Sequence, residues 1–241
     1  MYNSEKGIHY LLFLNVKLRI KIGFRAWILG INKWILSIFV FKINTLNYLA
    51  HQFLSFHNPD LMIGNFIADS IQGNRFEGLS DDTIKGITLH RKIDSFTDSH
   101  PIYLTSKHRF SKDFGKYSGV LMDMIYDHYL AKNFENYSDS SLQEFCNHTY
   151  HVLNQNISIF PEPAKRFHGY MIEHNVLFNY STLQGLETVL THLNHRIRHR
   201  YQLQHSLTLI KEQNADIEEE FFIFFDELHR YCLEQEEVIS L

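Results

Sequence analysis

Leu121-Met122-Asp123-Met124-Ile125-Tyr126-Asp127-His128-Tyr129-Leu130 is the stretch whose reading decides the fold. It lies in a strongly apolar run from Tyr117 to Asn133, long enough for a core helix. Two carboxylates four apart and an adjacent histidine interrupt it, and burying an unpaired charge is expensive. Either a bound cation resolves that cost, or Asp123 and Asp127 form a narrow solvent-facing stripe. Adjacent helical residues point about 100° apart, so Asp127 and His128 can flank one metal pocket.

Working outward, further helical patterns appear on both sides. Leu49, Phe53 and Phe56 recur at helical spacing from Leu46 to a stop at Asn58-Pro59. Gly64 to Ile71 reads as a short helix or helix start, closed by Gly73-Asn74. Asp81 and Asp82 are plausible N-caps for Thr83 to Phe96, and Pro101 suits the first turn of a helix running through Tyr103 to Lys112. Leu142–Asn154, Pro163–Phe178, Leu183–Arg198 and Leu203–Glu237 follow, the last broken near Asn214. With only 11 Gly and 4 Pro, the turn signals needed for many short strands are missing. The expectation is a single all-α domain of roughly seven to nine helices, spanning residues 46–241.

Composition supports a folded body: 44% of the 241 residues are apolar and 15% aromatic, enough for a sizeable core. The two cysteines, Cys146 and Cys232, have no metal-type spacing and build no disulfide framework, so a reducing, cytoplasmic compartment is expected. Any bound metal must then use His and carboxylate. Residues 1–45 differ from the rest, carrying seven basic residues against Glu5 alone, a net of +6, whereas residues 46–241 carry a net of −10. The longest apolar stretch there, Trp27 to Phe41, contains Lys33 and falls short of the ~20 residues that span a bilayer. Membrane attachment is disfavoured, and no secretory cleavage site is visible. An interfacial basic helix is open. The preferred expectation is a start codon assigned too far upstream, with Leu46 encoded by a non-standard initiator.

Four segments carry groups that suit metal chemistry. His90 and Asp94 stand four apart, which puts them on one helical face within reach of a common ion. The same spacing also fits a solvated polar face with Arg91 and Lys92. Asp69 follows the apolar Asn65-Phe66-Ile67-Ala68, and His51 follows Tyr48-Leu49-Ala50. Each alone reads as a cap or a satisfied core group; together with Asp127 and His128 they resemble ligands converging inside a helical bundle. Asp98, just ahead of Ser99 and Pro101, fits an N-cap as well as a ligand. No hydroxyl nucleophile with its base and no Gly-rich phosphate loop is found.

In order and spacing, Asn47-Tyr48-Leu49-Ala50-His51, Gly64-Asn65-(x)3-Asp69, Gly86-Ile87-(x)2-His90-Arg91-(x)-Ile93-Asp94-(x)3-Asp98 and Asp123-(x)3-Asp127-His128-Tyr129-Leu130 resemble the motifs of the acyl carrier protein phosphodiesterases. A later run, Tyr180-(x)2-Leu183-(x)2-Leu186-(x)2-Val189-Leu190, resembles a helix of the same family, so the likeness covers 46 to about 230. The family usually begins with Met at the place held by Leu46. The resemblance implies a helical fold distantly related to the HD-type metal phosphohydrolases, activity supported by a divalent metal, usually Mn2+, and removal of 4′-phosphopantetheine from holo-acyl carrier protein. On that reading His90, Asp94, Asp127 and His128 are the central ligands. Asp69 and His51 complete or orient the site. Asp69, Arg91 and Asp94 act in catalysis, with Arg91 or Lys92 offsetting phosphodiester charge.

Such chemistry is sound: a metal lowers the pKa of bound water to about 7 and polarises a phosphoryl oxygen. An acidic carrier protein would meet a local net of +4 over residues 85–116, with Arg196, Arg198 and Arg200 as a second basic group. Ordinary solvated helix faces explain these charges equally well, and the overall acidity argues against nucleic acid. Two other functions fit the same residues: a metal phosphohydrolase acting on a nucleotide or other small phosphodiester, and a non-catalytic module that binds carrier protein or membrane.

Overall fold

The computed structural model describes residues 47–197 and 201–239, excluding the side chains of Arg196 and of 236–239. The expectations for residues 1–45, for Leu46 and for Arg196, Arg198 and Arg200 as a basic group lie outside these. The described residues form α-helices and short 3-10 turns with no strand, an all-α domain. The helices are α1 Tyr48–Phe53, α2 Pro59–Ile67, α3 Asp81–Ser99, α4 Pro101–Phe114, α5 Ser118–Lys132, α6 Leu142–Gln155, α7 Glu162–Glu173, α8 Val176–Asn179, α9 Leu183–Arg196, α10 Ser206–Glu212 and α11 Asn214–Ile239.

Helix α5 is the centre. From Val120 to Ala131 every residue is buried, as expected of a helix apolar on all sides. It packs against α1, α4, α9 and α11. Burial extends to Asp123 and Asp127, so neither belongs to a solvent-facing stripe. At the other end of α1, Phe53 sits among Phe134, Phe145 and Phe225, with ring centroids 5.6 to 6.1 Å away. That aromatic cluster anchors the short helix.

Local chemistry moves several boundaries from their sequence expectations. Asn58-Pro59 starts α2 rather than stopping α1: the Asn58 side chain accepts from the N–H groups of Asp60 and Leu61, and Pro59 takes the first helical position. Helix α3 is capped by Ser80, whose Oγ accepts from Thr83 N–H at 3.1 Å, while Asp81 and Asp82 occupy its first turn. Asp98 lies inside α3 near its end and caps nothing; His100 precedes α4 without a side-chain cap. The run expected to continue to Phe178 breaks after α7, where Asn175 adopts a left-handed φ of 43°.

Helices α2 and α3 pack backbone against backbone, and two glycines permit it. A Cβ on Gly64 would lie 2.0 Å from the Thr83 carbonyl oxygen, and one on Gly86 would lie 2.5 Å from that of Leu61. Each glycine Cα therefore sits against the other helix's backbone, an approach no larger residue allows. Gly86→Ala is expected to force the helices apart and destabilise the protein by roughly 3 kcal/mol, lowering the melting temperature by about 6–12 °C. Thermal unfolding followed by circular dichroism checks this; an unchanged transition would show that the contact is not tight.

Candidate metal centre

The α2–α3 contact places Asn65, next to Gly64, opposite His90, one turn beyond Gly86. Asn65 is almost wholly buried, and its Oδ1 lies 2.7 Å from His51 Nδ1 and 2.9 Å from His90 Nδ1. Its Nδ2 donates to the His51 carbonyl at 2.8 Å and to Ser55 Oγ at 3.1 Å. Ser55 Oγ in turn donates to the same His51 carbonyl at 2.9 Å. This network fixes the amide orientation, because a flipped Asn65 would set its oxygen against that carbonyl. Both imidazoles therefore carry a proton on Nδ1, which leaves both Nε2 atoms to face the other way.

What they face is Asp94. His51 Nε2 lies 3.3 Å from one Asp94 oxygen and His90 Nε2 lies 3.3 Å from the other. The rings stack with centroids 4.2 Å apart. Asp69, on the 3-10 turn Ala68–Ser70 after α2, brings an oxygen to 3.6 Å from His90 Nε2. Among the described residues, ligand atoms of His51, His90 and Asp94 lie within 4.8 Å of one another. Both Nε2 atoms are buried without a hydrogen-bond partner. Buried polar atoms nearly always make a hydrogen bond, so two nitrogens that make none and converge on a carboxylate fit a divalent cation. Two imidazoles and one carboxylate form a donor set that could hold such an ion.

The electrostatics agree with that fit. Burial works against charge on His90, yet Asp69 and Asp94 outweigh it and raise the imidazole pKa to about 9. Burial, then the neighbouring His90, hold His51 below its usual value despite Asp94. Burial would raise Asp94, but the close approach of the two imidazoles and attraction to them carry it well below the usual carboxylate range. Without metal, one proton therefore sits on His90 between the carboxylates, where a cation would otherwise stand.

The remaining expected residues are placed elsewhere. The two Asp127 oxygens accept from the Leu49 and Ala50 N–H groups of α1, each at 2.9 Å, so this carboxylate lies outside the His51–His90–Asp94 group. His128 Nδ1 donates to the Tyr180 carbonyl at 2.7 Å and is likewise outside it. Both residues, expected as central ligands, make these backbone contacts because α5 presents them to α1 and to the turn at Tyr180. Asp123 is buried and accepts from Tyr103 Oη at 2.6 Å. Burial, opposed by that hydrogen bond and assisted by Asp94 and Asp98, pushes its pKa up to about 7. Arg91 donates to the Gly73 carbonyl at 2.5 Å and lies over the Phe76 ring, tying down the loop that follows Asp69. Lys92 donates to Gln235 on α11.

Sequence reasoning gave Asn65 no role. Its signal is a lone amide inside the apolar run Leu61–Ala68, where a polar group must find internal partners.

Metal binding must displace the His90 proton, so affinity should rise with pH as long as His90 is protonated. The sign follows from a pKa raised to about 9. Between pH 6 and 8 the Mn2+ affinity of the metal-free protein is expected to climb roughly 100-fold, about tenfold per unit. Titration at each pH measures it, and a flat profile would contradict a proton held at the site.

Comparison with known proteins follows the same lines. The profile of the acyl carrier protein phosphodiesterase family matches residues 46–228. A curated acyl carrier protein phosphodiesterase of Photorhabdus laumondii is 28% identical over 198 residues, covering 79% of this chain and 100% of the relative. One from Pectobacterium atrosepticum is 28% identical over 192 residues, with 79% and 100% covered. One from Escherichia coli O6:H1 is 30% identical over 149 residues, 60% of this chain and 76% of the relative. No solved structure matches. No helix among the described residues is long and apolar enough to cross a membrane. With a family match that takes in all of the helices carrying His51, Asp69, His90 and Asp94, the chain belongs to the acyl carrier protein phosphodiesterases, an enzyme family.

Proposed function

We propose that this protein is a metal-dependent phosphodiesterase that hydrolyses the 4′-phosphopantetheine group from the serine of holo-acyl carrier protein. Water attacks phosphorus, the bond between phosphorus and the serine oxygen breaks, and the products are apo-carrier protein and 4′-phosphopantetheine. The observation that carries the metal part is the pair of buried Nε2 atoms that make no hydrogen bond and converge on Asp94. The substrate comes from the family relationship. His51, His90 and Asp94 hold the ion, which we take to be Mn2+, and Asp69 stands beside His90 as a fourth ligand or as the group that orients it. A bound divalent ion would supply Lewis-acid polarisation of the phosphoryl oxygen and an activated water. A distant relation to the HD-type metal phosphohydrolases belongs to the same reading.

The chain's own residues set up the rest. Asn65 keeps both imidazoles in the tautomer that presents Nε2. Arg91 serves by holding the Gly73–Phe76 loop beside the site, and any charge it lends the phosphodiester acts from that anchored position. In the basic stretch 85–116, Lys85 pairs with Asp82 and Arg109 with Glu220, while Lys112 and Lys116 are exposed to meet an acidic carrier protein. The activity is assigned to residues 46–241, and residues 1–45 are an extension.

Incubation of the protein and Mn2+ with holo-acyl carrier protein is expected to remove the phosphopantetheine mass from the carrier, and His90→Ala is expected to abolish the loss. Intact-protein mass spectrometry reads both. An unchanged carrier with turnover of a nucleotide diester instead would select the alternative phosphohydrolase. A chain started at Leu46 should retain full activity in the same assay. A large drop would assign residues 1–45 to the enzyme.

A further inference from the structure

His51 stands on a helix too short to hold its own shape. Helix α1 has six residues, and Asn47 gives it no side-chain cap. Isolated helices shorter than ~12–15 residues are marginal in water. Two buried side chains from other helices hold it instead. Asn65 from α2 grips the His51 carbonyl, directly and through Ser55. Asp127 from the central helix α5 takes the first turn, its Oδ2 accepting from Leu49 N–H and its Oδ1 from Ala50 N–H, both at 2.9 Å. The Asp127 side chain has no solvent exposure, and Ala50 directly precedes His51.

We infer that Asp127 is a positioning residue of the metal centre: its carboxylate fixes the first turn of α1 and thereby sets where His51 Nε2 meets Asp94 and the ion, without itself coordinating the ion. Three observations carry this. Each oxygen of Asp127 is aimed at a backbone amide, not at the His51–His90–Asp94 group. The contact joins residues 77 and 78 positions apart, so it sets α1 relative to α5 rather than helix α1 alone. And the residue it fixes adjoins the ligand. The inference rests on the metal reading proposed above.

Asp127→Asn tests it, because the substitution keeps the volume but replaces one acceptor oxygen with an NH2 donor that meets an N–H. The full-length protein is titrated with Mn2+, and the hydrogen-bonded Nδ1–H proton of His51 is followed by NMR without metal. Expected are a 10–100-fold loss of Mn2+ affinity, as for other outer-shell partners, and a displaced His51 Nδ1–H resonance. Lost affinity with an unmoved His51 resonance would overturn the proposal in favour of direct coordination. Unchanged affinity would reduce Asp127 to a brace of the fold and overturn it as well. Should Asp127→Asn fail to fold, Asp127→Glu keeps both acceptor oxygens, lengthens the arm by one methylene and is judged by the same two readings. A folded wild-type protein that binds no Mn2+ would overturn the metal reading itself, an outcome distinct from any difference between variants.

Discussion

The backbone contact between Gly64 and Gly86 is the constraint on which the site depends. Only where neither helix carries a side chain can α2 and α3 approach so closely. From that approach Asn65 reaches His90 on the facing helix, and the same oxygen reaches His51 on α1. Two histidines distant in sequence thereby share one acceptor. With both Nδ1 protons committed to Asn65, both Nε2 atoms are turned toward Asp94.

The polar groups of the interior are arranged around this point at an energetic cost that apolar packing must offset. Asp123, Asp127 and His128 are all buried on α5, and each is given an internal partner: the Tyr103 hydroxyl, the first-turn amides of α1, and the Tyr180 carbonyl. Losing such a partner leaves a buried group unsatisfied and costs ≈1–3 kcal/mol or more. Apolar side chains of the same size often stabilise as much or more, so the burial of these groups is weak evidence for stability. The His51–His90–Asp94 group differs, because its nitrogens lack hydrogen-bond partners. Hydrogen-bonded polar groups on α5 and nitrogens without a hydrogen bond between α1 and α3 separate the framework from the candidate metal centre.

Much of the fold was legible along the chain because helical periodicity is local. The apolar run of α5, the stop at Asn133 and the break at Gln213 before Asn214 could all be read from adjacent residues. Boundaries shifted where a single capping contact decided the matter: the Asn58 side chain turned an apparent stop at Pro59 into a start, and Ser80 rather than Asp81 or Asp82 capped α3. Within the site, the pairing of His90 with Asp94 was legible for the same local reason, four residues being one helical turn.

By itself the sequence determined the residue types available for metal chemistry, the helices that bear them and the family motifs in which they stand. Tertiary structure decided which of them meet. It joined His51 to His90 and Asp94, brought Asp69 to the edge of the group, and turned Asp127 and His128 to backbone partners instead. A one-dimensional pattern cannot make that distinction, because the direction of a side chain on a helix buried on every face is set by its neighbours, not by its periodicity. Asn65 shows the same limit. Its place in an apolar run signals that it must be partnered, and only the approach of α2 to α3 across two glycines, with α1 packed beside them, identifies the two imidazoles as its partners.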